Sequence, residues 1–201
     1  MNYLAHIYLS GKDKQVQIGN FVGDAVKGNA YRNYPPGIQK GILLHRQIDA
    51  FSDTHPLVRE MVALGRAYFG RYSAVVTDIL LDHILARDFK IYAHQSLKGF
   101  AWAFYWNLIL NYRNLPARFQ SFMWHFILTS RLERYATPGG ICRSLSIMVD
   151  YRGIEINPGK AVDFLWIHDR KWREVFEIFF PELQAMCQRE LVRDTTITLS
   201  S

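Results

Sequence analysis

The sequence predicts an all-α protein, a compact single-domain bundle of several helices. Three observations carry this. Apolar residues recur at helical spacing along nearly the whole chain, and alternating strand patterns are close to absent. Hydrophobic residues make up 49% of the 201 residues against 21% charged, which favours a folded body with one sizeable core over a disordered chain. Residues 1–192 are expected to form one helical domain and 193–201 a frayed tail.

The elements follow in order. "MNYLAHIYLS" reads as a short first helix closed by Gly11. "VQIGNFVGDAVKGN" puts Ile18, Phe21, Val22 and Ala25 on one face and stops at Gly28-Asn29. "YRNYPPG" is a loop, since two prolines and a glycine cannot continue a helix. "GIQKGILLHRQIDAFS" resumes the helix, and Pro56 suits the first turn of "PLVREMVALGRAYFG", with Asp53 or Thr54 near its cap. "YSAVVTDILLDHILARDFKIYA" and "LKGFAWAFYWNLILNYRNLP" are strong helical patterns, the second rich in aromatics and ending before Pro116. "ARFQSFMWHFILTSRLERYA" runs into the break "TPGG". "ICRSLSIMVDYRG" is a further helix, and after "INPGK" a closing segment spaces Trp172, Val175, Phe176, Phe179 and Phe180 as a core stripe. The count comes to roughly seven to nine helices around one core.

The bulk numbers bound the setting. The net charge of +6 and pI near 9.4 favour acidic partners, although no run of five or six like charges appears and an ordinary basic surface explains the excess equally well. Two cysteines without CxxC spacing argue against a disulfide framework or a cysteine zinc site. The N-terminus lacks the cationic start of a signal peptide, and no stretch of about 18 apolar residues predicts a membrane span. A cytoplasmic location, with no membrane partner, is the expectation.

The stretch "GILLHRQIDAFSDTHP" loads a core-like helix with polar groups, which is destabilising unless they are partnered or used. His45 and Asp49 lie four apart on one face, with Asp53 further along the stripe. An imidazole beside a carboxylate can bind a divalent cation, and Arg46 can hold a phosphate oxygen. A partly exposed helix end with ordinary polar residues is the competing reading. "TDILLDHILARDF" repeats the theme: Asp78 and Asp82 are four apart and His83 adjoins Asp82, although a lone histidine on an apolar face is more often a satisfied core residue. In "IGNFVGDAVKGN", Asn20, Asp24 and Lys27 form a polar stripe, with Asp24 a candidate ligand and Lys27 a candidate phosphate contact, or else simply a solvent face. His6 sits among apolar residues of the first helix.

The combination is more telling than any part. Four of the seven histidines (His6, His45, His55 and His83) fall in the first 83 residues, near aspartate-bearing segments. His94, His125 and His168 lack that company. Histidine and aspartate spread over several helices point to a metal site in a bundle interior, able to activate water and neutralise a phosphoester. No GxxxxGK[ST] or GxSxG occurs, so P-loop and nucleophile-elbow chemistry is not indicated.

"MNYLAH", "GNFVGDAVKG", "GILLHRQIDAFSDTHP" and "DILLDHILARDF", in this order and at these separations, resemble the acyl carrier protein phosphodiesterases. The likeness spans nearly the whole chain and is sharpest before residue 90. It implies an all-α fold related to the HD-domain metal phosphohydrolases. It implies hydrolysis of the phosphodiester joining 4'-phosphopantetheine to a serine of holo-acyl carrier protein, giving apo-protein and free 4'-phosphopantetheine. It implies a divalent metal, manganese before magnesium or another ion, and a cytoplasmic enzyme of lipid metabolism. Carried onto this sequence, His6, Asp24, His45, Asp49, Asp82 and His83 become candidate metal or catalytic groups. Asn20, Lys27, Arg46, Asp53 and His55 become candidate supporting or phosphate-contact residues, with His55 or Asp53 a candidate proton shuttle at the leaving serine oxygen. The doublet here runs Asp82-His83, so a simple H…HD…D string is not matched. Acyl carrier proteins are strongly acidic, and a basic rim of Arg32, Arg59, Arg66, Arg71, Lys90 and Lys98 would steer one to the site. Beyond residue 100 the expectation is packing only. Two other readings compete: an HD-like phosphohydrolase acting on a nucleotide or other small phosphoester, and a non-enzymatic basic module binding nucleic acid. The resemblance favours the carrier-protein substrate, with no nucleic-acid partner.

Overall fold

The structure, a computed structural model, describes residues 1–152 and 155–197. It is almost wholly helical, with no strand among the described residues. Among the described residues, twelve α-helices stand where seven to nine were expected: α1 (Tyr3–Leu9), α2 (Lys14–Val22), α3 (Pro36–Thr54), α4 (Pro56–Phe69), α5 (Ser73–Arg87), α6 (Phe89–Ala93), α7 (Leu97–Leu110), α8 (Ala117–Leu128), α9 (Arg131–Arg134), α10 (Pro138–Arg152), α11 (Pro158–Ile167) and α12 (Asp169–Ile197). The excess comes from three breaks inside continuous apolar patterns. The chain leaves helical geometry at Asp88, at Ser130 with φ +46° and at His168. The tail expected to fray from residue 193 is helical as far as Ile197, and residues 198–201 lie outside the described ones.

The helix starts are chemically ordinary. Asp13 caps α2 by accepting from the Gln15 and Val16 amides, Ser96 caps α7, and Asn157 caps α11 with Pro158 in the first turn. Neither Asp53 nor Thr54 caps α4. α3 runs through Thr54, and His55 occupies the cap without a side-chain bond. The Thr54 hydroxyl donates back to the Ala50 carbonyl instead, which keeps it in the helix.

The buried apolar side chains form one cluster, threaded by α1, α2, α3, α5 and α12. The aromatic stripe of α12 is core as expected: Trp172, Phe176, Phe179, Phe180 and Leu183 are fully buried. That packing holds α12 helical around Pro181, which lacks an amide hydrogen to donate. α2 and α3 approach backbone to backbone. A Cβ on Gly41 would stand 2.2 Å from the Val16 carbonyl oxygen and 2.8 Å from the Gly19 Cα. Only glycine allows this crossing, and the crossing sets one wall of the site.

Cys142 and Cys187 are free. No helix among the described residues is long and apolar enough to cross a membrane.

Candidate functional site

α2 ends at Val22, two residues short of Asp24. The next turn, Gly23–Ala25, is a 3₁₀ helix, so the expected polar stripe of Asn20, Asp24 and Lys27 does not exist as one face. Asn20 points inward and is fully buried, while Asp24 and Lys27 are exposed and pair with each other at 3.2 Å.

Asn20 organises the interior. Its Nδ2 donates to the His6 carbonyl oxygen (2.8 Å) and to Ser10 Oγ (2.9 Å), and Ser10 Oγ in turn donates to the His6 carbonyl (2.8 Å). The amide orientation is thereby fixed, and Oδ1 faces His6 Nδ1 at 2.8 Å. The Asn20 backbone carbonyl lies 2.9 Å from His45 Nδ1. Both contacts offer only an acceptor, so each imidazole, when neutral, carries its proton on Nδ1 and leaves Nε2 as a bare lone pair. The rings stack with centroids 4.2 Å apart. A Cβ on Gly23 would lie 2.4 Å from His45 Cγ, so glycine at 23 makes room for the ring.

Both Nε2 atoms face Asp49. His6 Nε2 lies 3.2 Å from Oδ1 and His45 Nε2 lies 3.2 Å from Oδ2. One ligand atom from each of the three residues falls within 4.8 Å of the other two. His6 and His45 are buried and Asp49 is half-exposed, so the cluster opens to solvent on the carboxylate side. Desolvation, opposed by the Asp49 carboxylate, which favours the protonated ring, pushes His6 down to about 4. Partial burial works against the Asp49 carboxylate, but the contacts with His45 and His6 outweigh it and hold its pKa well below the usual range. A carboxylate thus confronts two imidazole Nε2 atoms at hydrogen-bond distance. A divalent cation satisfies all three at once, and two imidazoles with a carboxylate are a donor set that borderline ions accept. Asn20 is the partner that fixes the ligands' orientation, as the outer hydrogen bonds of metal-bound histidines do.

A small cavity of about 110 Å³ adjoins the cluster, lined by Asp24, Lys27, His45, Arg46 and Asp49 among others. The guanidinium of Arg46 is committed: its Nη2 donates to the carbonyls of Val26 (3.0 Å) and Gly28 (2.7 Å), and it lies over the Tyr31 ring. Arg46 thus holds the loop that presents Asp24 and Lys27.

The remaining sequence candidates stand elsewhere. Asp82 is fully buried and binds the start of α1, accepting from the Asn2 amide (3.0 Å) and the Leu4 amide (2.8 Å). Burial raises its carboxyl to about 7, although the Met1 ammonium and the α1 amides pull the other way. His83 faces the opposite direction, with Nδ1 2.7 Å from the Tyr135 carbonyl, and burial holds it below its ordinary value. Asp78 accepts from the Met1 amino group at 2.8 Å. His55 Nε2 lies 3.2 Å from Glu182 of α12, and its ring packs on Phe51 and Phe179. Asp53 is exposed one turn beyond Asp49 and lines neither this cavity nor the larger one described next. All six basic-rim residues are exposed, and none of them lines either cavity.

The C-terminal half does more than pack. α8, α9 and α10 enclose a second cavity of about 480 Å³ against Tyr3, Asp24 and Ala25. Asp24 belongs to the linings of both cavities, so they meet at that residue. Arg131 in its wall carried no motif, but an arginine set between the apolar runs of α8 and α10 was the available signal.

A bundle of helices that gathers two histidines and an aspartate from α1 and α3 around one buried amide is a helical protein with a candidate metal centre. The family model described as acyl carrier protein phosphodiesterase matches residues 1–183. The chain belongs to the acyl carrier protein phosphodiesterase family. It is similar to a Yersinia pestis protein of that name, with 31% identity over 193 residues, 96% of this chain and 100% of the relative. A Serratia proteamaculans protein of the same name shares 34% over 141 residues, 68% of this chain and 71% of the relative. A Salmonella agona protein so named shares 30% over 198 residues, 94% of this chain and 99% of the relative. No solved structure matches the chain significantly.

Proposed function

We propose that this protein is a metal-dependent phosphodiesterase that removes 4'-phosphopantetheine from holo-acyl carrier protein. The observation that carries this is the convergence of His6 Nε2, His45 Nε2 and the Asp49 carboxylate, with both Nδ1 atoms already engaged by Asn20. The family names supply the substrate. His6, His45 and Asp49 would hold a divalent cation, manganese by the resemblance. When bound, it lowers the pKa of water and neutralises charge on the phosphoryl oxygens. Asp82 and His83 have no part in this reading, because their partners lie in the core.

In the reaction, water adds to phosphorus and the bond from phosphorus to the serine oxygen breaks. The products are the serine hydroxyl and 4'-phosphopantetheine. Asp24 stands at the cavity rim as the group that accepts the proton from the attacking water and passes a proton to the leaving serine oxygen. Lys27, exposed beside it, supplies positive charge to the developing oxyanion. Arg46 acts through the loop it braces, and not by touching the substrate.

The test is incubation of the purified protein and Mn²⁺ with holo-acyl carrier protein, followed by mass spectrometry of both products. His45→Ala and Asp49→Ala should each reduce turnover by on the order of a thousandfold, as loss of charge stabilisation worth several kcal/mol implies, with helix content by circular dichroism unchanged. Full activity in both variants would remove this site from the reaction. Nucleotides in parallel assays address a small phosphoester substrate.

A further inference from the structure

The larger cavity contains a buried charge with no ion pair among the described residues. Arg131 is 3% exposed, yet its Nε and Nη1 donate no hydrogen bond. The Tyr135 hydroxyl is close enough to feel the Arg131 charge, but the two make no hydrogen bond of acceptable geometry. Burial lowers the Arg134 pKa, and repulsion from Arg143 and from Arg131 adds to it. A buried guanidinium with a second arginine close by and two donors unanswered is destabilising for the fold. Such groups persist where a ligand supplies the acceptors. The chamber's volume, about 480 Å³, falls in the range of small-molecule sites. Its wall is mixed: Phe119, Phe122, Ile147 and Met148 are apolar, while Arg118 and Arg131 are cationic. Asp24 ties this chamber to the cavity beside His45 and Asp49.

We infer that this chamber receives the organic arm of the phosphoester, a flexible chain with short apolar stretches and amide carbonyls that accept from Arg131. The inference rests on the phosphopantetheine reading and adds where the arm lies and which residue recognises it. The phosphodiester then sits at the junction by Asp24, between the metal-type cluster and the chamber. Nε and Nη1 are sealed from the chamber in this structure, so a turn of the guanidinium toward the arm is what would answer these orphan donors with carbonyl oxygens. Arg131 is a binding residue in this account and touches no reacting atom.

The experiment separates the arm from the reaction by using pantetheine, which has no phosphate, with inorganic phosphate as a second probe, both measured by titration calorimetry. Pantetheine should bind the wild-type protein. Arg131→Gln should weaken it at least tenfold. So should Ser121→Trp, which fills the chamber from an exposed wall position and spares the core. Arg131→Gln should also unfold at the same or a higher denaturant concentration, because it removes an unpartnered buried charge. Equal pantetheine binding by wild type and both variants would overturn the inference, as would no pantetheine binding at all. Binding of phosphate alone, dependent on Arg131, would overturn it too and make the chamber an oxyanion site. Arg131-dependent pantetheine binding without hydrolysis of holo-carrier protein would sink the reaction but keep the chamber. Hydrolysis with Arg131-independent binding would do the reverse.

Discussion

At the scale of single residues, the site turns on an amide and not on a charge. His6, His45 and Asp49 were legible as ligand types at suggestive spacing, but nothing in the sequence says that Asn20 lies between them. Its position in "IGNFVGD" reads as the polar side of an amphipathic helix. The side chain goes inward because three partners, His6 Nδ1, the His6 carbonyl and Ser10 Oγ, are there to satisfy it, while the Asn20 backbone carbonyl takes His45. Asn20→Ala should therefore weaken Mn²⁺ binding by about 10- to 100-fold, the usual effect of losing the partners that orient metal ligands. Isothermal titration of wild type and variant checks it, and unchanged affinity would mean the histidines orient themselves. His83 allows a second prediction away from the cluster. Its folded pKa lies below the unfolded value, so the unfolded chain takes up the proton first. The stability this contributes is present above about pH 6.5 and is lost as pH falls below that. Denaturant midpoints between pH 7.5 and 5.5 should fall more steeply for the wild type than for His83→Gln. Asp82, whose raised pKa acts in the opposite direction, is common to both proteins and cancels in the comparison.

At the scale of elements, the apolar periodicity located every helix but not where helices stop. Asp88, Ser130 and His168 interrupt patterns that continue in register on both sides, because tertiary packing and a single left-handed residue outweigh local propensity. The early end of α2 matters most for function. Had α2 continued through Lys27, Asp24 would be fixed on a helix face; in the 3₁₀ turn it sits at the mouth of both cavities. The crossing of α2 on α3 is the element-level feature that brings α3's His45 and Asp49 towards the α1 histidine. Gly41→Ala tests it. The added methyl would meet the Val16 carbonyl and the Asn20 amide, which are backbone and cannot rotate aside. The substitution should cost about 3 kcal/mol, at the upper end for overpacking, and should lower turnover as α3 moves off α2. A denaturant midpoint and activity indistinguishable from wild type would show that the helices can slide without harm to the site.

At the scale of the whole molecule, the sequence revealed the helical class and the net charge but not where the charge acts. The six exposed basic residues read as a rim are scattered over the 3₁₀ segment before α3, α4 and the turn after it, α6 and α7, and none of them lines either cavity. The cationic groups beside the cavities are Lys27, Arg46, Arg118 and Arg131, drawn from segments far apart in the chain. If the substrate is an acidic carrier protein, two contributions to encounter follow. The overall charge of +6 raises the local concentration of an anionic partner at long range, and the groups near the cavity mouths orient it. Both are screened once the Debye length, about 10 Å at 0.1 M salt, shrinks to about 3 Å at 1 M. The KM for holo-carrier protein should rise roughly tenfold or more between 0.02 and 0.5 M NaCl, within the 10- to 1000-fold range that steering gives to association rates, while hydrolysis of a small uncharged-tailed phosphodiester stays nearly flat. Charge reversal then separates the contributions. Arg118→Glu, at the chamber, should raise the KM well beyond the effect of Arg66→Glu on α4, although both change the net charge equally. Equal effects would mean that only the total charge matters and that the mouth does not orient its substrate.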